Sequence, residues 1–220
     1  MDKQEIFRFL NDLQSNNSKG WMDDHRSRYE AVKNHLIAIF APVLEEIKSY
    51  DPRIVQPTAR KCLTRINNNL LFHPERPTYK DHFGIVMGFG KGKADFYIHL
   101  GLEELMVAGG LWHPKPHQLK KLRLEIDYEG EELANILCSD TFQQHFTLFE
   151  DDKLKNAPKG YPVEHPYIEW LKLKSLAAFR PFNRKEFYSE HFSEIIVDSY
   201  KVLQPMLDFA NRAIASEEEY

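Results

Sequence analysis

Two strand-like runs separated by a glycine-punctuated tetrapeptide constrain this chain more than any other feature. His82-Phe83-Gly84-Ile85-Val86-Met87-Gly88-Phe89 and Asp95-Phe96-Tyr97-Ile98-His99-Leu100 read as strands, with Gly90-Lys91-Gly92-Lys93 between them. So short a connection cannot hold the crossover that parallel neighbours need, so the two strands return antiparallel. Glu103-Glu104 makes a second tight connection, and Leu105-Met106-Val107-Ala108 then leads into Gly109-Gly110. The centre of the fold is therefore expected to be an antiparallel meander and not a βαβ unit. Paired glycines are costly in ordered chain, so Gly109-Gly110 mark a sharp bend or a close approach by another segment.

Helical spacing dominates on either side of that centre. Ile6, Phe7, Leu10 and Leu13 predict a helix over about residues 3–14, ended by Asn16-Asn17-Ser18-Lys19-Gly20. A second helix starts near Trp21 and runs to Asp51-Pro52, with Pro42 either kinking it or opening a new one. From Arg60, the residues Cys62, Thr64 and Ile66 alternate with Leu63 and Arg65 in a short strand-like run, and Asn67-Asn68-Asn69 turn the chain. Helix returns after Pro116, divided at Gly130. Phe142 to Leu148 reads as a short strand and Pro166 to Phe179 as a helix; a long last helix from Lys185 to Ala215 kinks at Pro205. The pattern is that of an α+β protein, a central antiparallel β-meander packed by N-terminal and C-terminal helices. A single domain over residues 1–220 is expected, with no internal repeat.

The net charge of −4 argues against a general nucleic-acid binder, which needs a concentrated positive field. No run approaches the ~18 apolar residues that cross a bilayer, and the N-terminus lacks the apolar core of a signal peptide. Cys62 and Cys138 make no disulfide framework. These features together predict a soluble, cytoplasmic protein.

No motif fixes a reaction. His113 and His117 are four apart, but Pro114 and Pro116 forbid the regular helix that would align them on one face. His82 and His99 fall in or near adjacent predicted strands and could meet across the sheet, yet no carboxylate stands at ligand spacing, so no metal is expected. No Gly-x-Ser-x-Gly elbow occurs, and both cysteines sit in apolar settings, where an inert thiol is the better reading. Gly88-Phe89-Gly90-Lys91-Gly92 has neither Walker nor Rossmann spacing and joins two strands, so no cofactor is expected. Catalytic residues are not identified. A basic-aromatic set stands out instead: Arg65, Lys80, His99 and Trp112, with Lys159 and Tyr161 in a later loop. Cations beside aromatic walls suit a small anionic or polar ligand. The plainer alternative makes Arg65 and Lys80 members of surface ion pairs and Trp112 and Tyr161 core residues of a protein-interaction module.

Several stretches together resemble one known family. They are Phe9-Leu10 to Asn16-Asn17 with Trp21 and Tyr29, Arg65-Ile66-Asn67, Phe72, Tyr79-Lys80, Phe83-Gly84, Tyr97 to Leu100, and Gly109-Gly110-Leu111-Trp112 with Pro114. Leu119 to Arg123 and Leu154-Lys155 to Pro158-Lys159-Gly160-Tyr161 with His165-Pro166 complete the set. In that order they resemble the conserved family catalogued as domain of unknown function twenty-four sixty-one. The resemblance implies an α+β fold and no particular activity. This chain departs from the family's pattern after Asn67, where an Arg-Asp pair and a further Arg are usual. Asn68, Asn69, Leu70 and Leu71 occupy that stretch. The neutral replacements bear on any site those charges form in relatives; Arg65, Lys80 and Lys159 remain.

Overall fold

The computed structural model describes residues 2–215. In chain order, α1 (Gln4–Ser15), α2 (Lys19–Asp24), α3 (Arg26–Tyr50) and the single turn α4 (Ala59–Cys62) precede β1 (His82–Gly88), β2 (Asp95–Gly101) and β3 (Leu105–Leu111). Then come α5 (Pro116–Tyr128), α6 (Gly130–Leu137), α7 (Asp140–His145), β4 (Thr147–Leu148) and α8 (Ile168–Leu171). β5 (Leu176–Pro181), α9 (Arg184–Tyr188) and α10 (Phe192–Ala215) complete the order. The strands form one antiparallel sheet in the order β1-β2-β3-β5-β4, so the fold is α+β, with the meander β1-β2-β3 making up one end of the strand order.

The chain forms two compact units. The first comprises Met1–Met87, Tyr97–Val107 and Pro181–Val197, and the second Gly88–Phe96, Ala108–Arg180 and Asp198–Tyr220.

In the first unit the apolar stripe of α1 buries Ile6, Phe7, Phe9, Leu10 and Leu13, as its spacing requires. Phe9 stacks 6.3 Å from Phe83 of β1, and Phe40 of α3 meets Phe192 edge-on at 6.0 Å. Ser18 caps α2 by accepting the Trp21 N–H. α3 continues through Pro42 as one helix, so the proline does not begin a new element. The run expected as a strand from Arg60 differs. Ala59-Arg60-Lys61-Cys62 makes a helical turn, and only afterwards does the chain lie against β1 and its approach, through the isolated bridges Leu63↔Ile85 and Asn67↔Tyr79. The long C-terminal helix is also divided. Asn183 and Glu186 form a reciprocal capping box that starts α9 early, and Ser189 with extended backbone (φ −59°, ψ 149°) ends it.

In the second unit β3 runs straight through Gly109 and Gly110, so the pair is a close approach within a strand and not a bend. A Cβ on Gly110 would strike the Leu176 carbonyl and come within 2.5 Å of the Ala177 Cα, and its φ of +134° is itself glycine territory. A Cβ on Gly109 would strike Leu203 of α10 and come within 2.8 Å of the Asp95 carbonyl. The expected helix over 166–179 is mostly not helix: α8 is a single turn, and Leu176–Pro181 is the fourth strand in the sheet order. Phe142 lies in α7, leaving two residues for β4, which pairs Thr147 with Phe179 and Leu148 with Ala178. α5 and α6 divide at Gly130 as expected, and a side chain there would collide with the Tyr167 ring. α10 passes through Pro205 unbroken.

Candidate functional site

The first unit brings Lys80 and His99 together on one face of β1 and β2. Strand alternation places Tyr97 and His99 on the half-exposed side of β2, while Phe96, Ile98 and Leu100 are buried. His82 enters the same cluster from β1, with its ring centre 4.2 Å from that of His99. Gly84 leaves room for it: a Cβ there would come within 2.8 Å of both the Tyr97 hydroxyl and the Thr64 Oγ1.

Burial and hydrogen bonds set the charge states of the cluster. Burial pushes the Tyr97 phenol up to about 12 and keeps it protonated, and it lies 3.2 Å from Nδ1 of His99. Burial first, then His82, pushes His99 down to about 4, with Lys80 adding to the effect and Asp81 opposing it. His99 is therefore neutral, and it shares one hydrogen bond with the Tyr97 hydroxyl through Nδ1. His82 Nδ1 lies 2.9 Å from Asp81 Oδ1. That hydrogen bond is the main reason the Asp81 carboxyl is held below its usual range. With Nδ1 engaged as donor, His82 presents Nε2 as its free nitrogen.

Lys80 supplies the charge. Its backbone N–H donates to the Ile66 carbonyl at 2.7 Å, which fixes the residue beside the Arg65 segment. The ammonium is half-buried and its pKa is lowered, by burial first and then by Arg65 and Arg76. Among the described residues, no carboxylate pairs with Lys80 or with Arg65. The expectation that the two sit in surface ion pairs is thus not met. The charges that act on this half-buried cation are those of Arg65 and Arg76, while the carboxylate of the adjacent Asp81 is engaged by His82.

Trp112, Lys159 and Tyr161 belong to the second unit, in separate settings. Trp112 is 55% exposed and therefore not a core residue. Its ring meets Phe149 at 5.0 Å, and Phe149 meets Phe179 of β5 at 4.5 Å. His113 beside it holds a positive φ of 43°, rare for a side-chain-bearing residue, and its N–H donates to the buried Ser175 hydroxyl at 3.0 Å. Tyr161 lies instead 6.1 Å from His165, whose Nε2 is 2.9 Å from Asp127 Oδ1. Burial raises the Tyr161 phenol, Asp127 adds to that, and Arg123 opposes it. Lys159 is exposed.

Sequence reasoning left Tyr97 and Thr64 out of the site. The signal for Tyr97 was the two-residue strand period, which sets it on the His99 side. Thr64 had no comparable signal, because its place beside Gly84 depends on long-range bridging. Among the described residues, no group of three or more His, Cys, Asp or Glu side chains is arranged to hold a metal ion. No described helix is long and apolar enough to cross a membrane.

Comparison with curated proteins and with solved structures gives no match. Residues 5–209 match the model of a family described as conserved hypothetical protein (DUF2461), and the chain belongs to that family.

Proposed function

We propose that the first unit binds a small anionic ligand on the face built by Lys80, His82, Tyr97 and His99, with Arg65 adding positive potential. One observation carries the reading: Lys80 is half-buried among Arg65 and Arg76 without a carboxylate partner. The Lys80 ammonium contributes charge to the ligand, and the imidazole nitrogens and the Thr64 hydroxyl contribute neutral polar contacts that orient it. The proposed setting is a cytoplasmic protein, with binding and not turnover as the assigned activity.

A thermal-shift screen of small carboxylates and phosphates against the full chain tests this reading. Saturation at about 100 times Kd stabilises a fold by about 2.7 kcal/mol. In a chain of this size that raises Tm by roughly 5–10 °C. A ligand whose shift disappears in Lys80→Ala, with that variant still folded, supports the reading. No shift with any anion, or a shift unchanged in Lys80→Ala, sinks it.

A second reading, a protein-interaction module, draws on Trp112, whose ring is half out in solvent on a Phe149–Phe179 ladder. Exposed Trp is a common anchor in interfaces. Stoichiometric capture of one protein by the wild-type chain but not by Trp112→Ala would favour it.

A further inference from the structure

We infer that the first unit holds a second ligand site, adjoining the first at Thr64 and Arg65: a cleft for the phosphate group of a small phosphomonoester, between α3, α4 and the chain from Leu63 to Asn67. The cleft encloses about 340 Å³, and its wall includes Tyr29, Lys33, Arg60, Lys61, Arg65 and Phe83. Four of those side chains are cationic, and no carboxylate lines the cleft. The chain as a whole carries 33 Asp and Glu against 29 Lys and Arg, so this concentration of one sign runs against the bulk composition.

The local geometry leaves most of that charge uncompensated. Arg60 donates to the Asn34 side-chain oxygen at 3.0 Å, a neutral partner that aims the guanidinium without cancelling it. Lys33 lies 3.6 Å from Glu30, a loose pair, and its ammonium also sits 5.6 Å from the Tyr29 ring centre. Lys61 and Arg65 have no ion pair or hydrogen bond to a side chain among the described residues. Four cations held around one concavity repel one another, and a multiply charged anion relieves that repulsion.

A phosphomonoester fits better than a carboxylate. It carries up to two charges and three terminal oxygens, which match two forked guanidiniums and two ammonium groups. The volume is near the lower end of small-molecule pockets, room for a phosphate and one ring system. The half-buried Tyr29 gives that ring an aromatic wall. The two sites share Thr64 and Arg65, but the inference does not rest on the Lys80 reading, since three of the four cations, Lys33, Arg60 and Lys61, take no part in that face.

Isothermal calorimetry on the full chain tests it with inorganic phosphate, adenosine 5′-monophosphate and adenosine. Phosphate and the nucleotide are expected to bind and adenosine is not, with binding weakened by added salt. Arg60→Gln and Lys61→Gln, both at exposed positions, are expected to weaken nucleotide binding about tenfold each while keeping the wild-type melting curve. Lys80→Gln serves as the discriminating variant and is expected to bind within about twofold of wild type. Absence of binding by both phosphate and nucleotide overturns the inference. So does binding that survives Arg60→Gln and Lys61→Gln but is lost in Lys80→Gln, which would instead favour the Lys80 face. Binding of a single-stranded homopolymeric RNA without binding of the mononucleotide overturns it as well, because the cleft would then serve a polyanion.

Discussion

The Tyr97 hydroxyl sits 3.2 Å from Nδ1 of His99, two residues along the same strand. Both groups are half-buried, so each depends on the other for its hydrogen bond. Tyr97→Phe keeps the ring and removes only the hydroxyl. The expected loss is about 1–2 kcal/mol, one net hydrogen bond plus part of the cost of a stranded polar nitrogen. Urea unfolding measures it. A loss below about 0.3 kcal/mol would show that His99 Nδ1 finds another partner.

The same burial makes His99 sensitive to acid. Its folded pKa is near 4 against an ordinary 6.5, so the folded state resists protonation. The stability held by neutral His99 is complete above about pH 6.5 and is lost as pH falls toward and through 4. After discounting for partial exposure, the effect is on the order of 1–2 kcal/mol. The groups that bias it are His82 and Lys80, which oppose the charged form, and Asp81, which favours it. His99→Gln should therefore show a shallower loss of stability than wild type between pH 6.5 and 4.5. Parallel pH profiles for the two proteins would exclude His99 as the source.

Asp95 in the second unit works in the opposite direction. Burial raises its carboxyl to about 6, against a lesser pull from the Phe89 N–H, which donates to Oδ1 at 3.2 Å. A raised carboxyl pKa favours the folded state while protonated. That stability is present below about pH 3.8 and is lost as pH rises through 6. Asp95→Asn keeps the Oδ1 acceptor and removes the charge. It should be about 1–2 kcal/mol more stable than wild type above pH 7, after allowance for partial exposure, and equal to it near pH 4. Equal stability at both pH values would mean the carboxylate is well solvated.

Strand period and turn chemistry were enough to read β1, β2 and their hairpin, and the two-residue alternation that makes His82 and His99 neighbours. The face around Lys80 was legible to that extent. β5 was not. Leu171, Leu173, Leu176, Ala177 and Ala178 are compatible with helical spacing, and alanine is a poor strand former, so local propensity pointed the wrong way. What makes Leu176–Pro181 a strand is pairing with distant chain, which no local window contains. The same limit hid the cleft cations. Lys33 and Lys61 are 28 positions apart and read singly as solvated lysines. Arg65 was visible because it stands in the Arg65-Ile66-Asn67 motif, yet its lack of an ion-pair partner is a tertiary fact.

Gly110 offers the sharpest test of how β3 meets β5. Its φ of +134° alone would strain any other residue, by about 1–3 kcal/mol. A Cβ there would also strike the Leu176 carbonyl and press on Ala177, both backbone atoms of a paired strand that cannot swing away as a side-chain tip could. Overpacking of that kind adds about 1–3 kcal/mol. Gly110→Ala should therefore cost roughly 2–6 kcal/mol, the two effects together. Gly90 separates them: its φ is +113°, but nothing lies within 4 Å of the position a Cβ would take. Gly90→Ala should cost only the conformational part, about 1–3 kcal/mol and less than Gly110→Ala. Guanidinium unfolding of both variants measures the difference. Equal losses would mean that β3 and β5 can part at Gly110 without penalty, and the close approach would then not be what places glycine there.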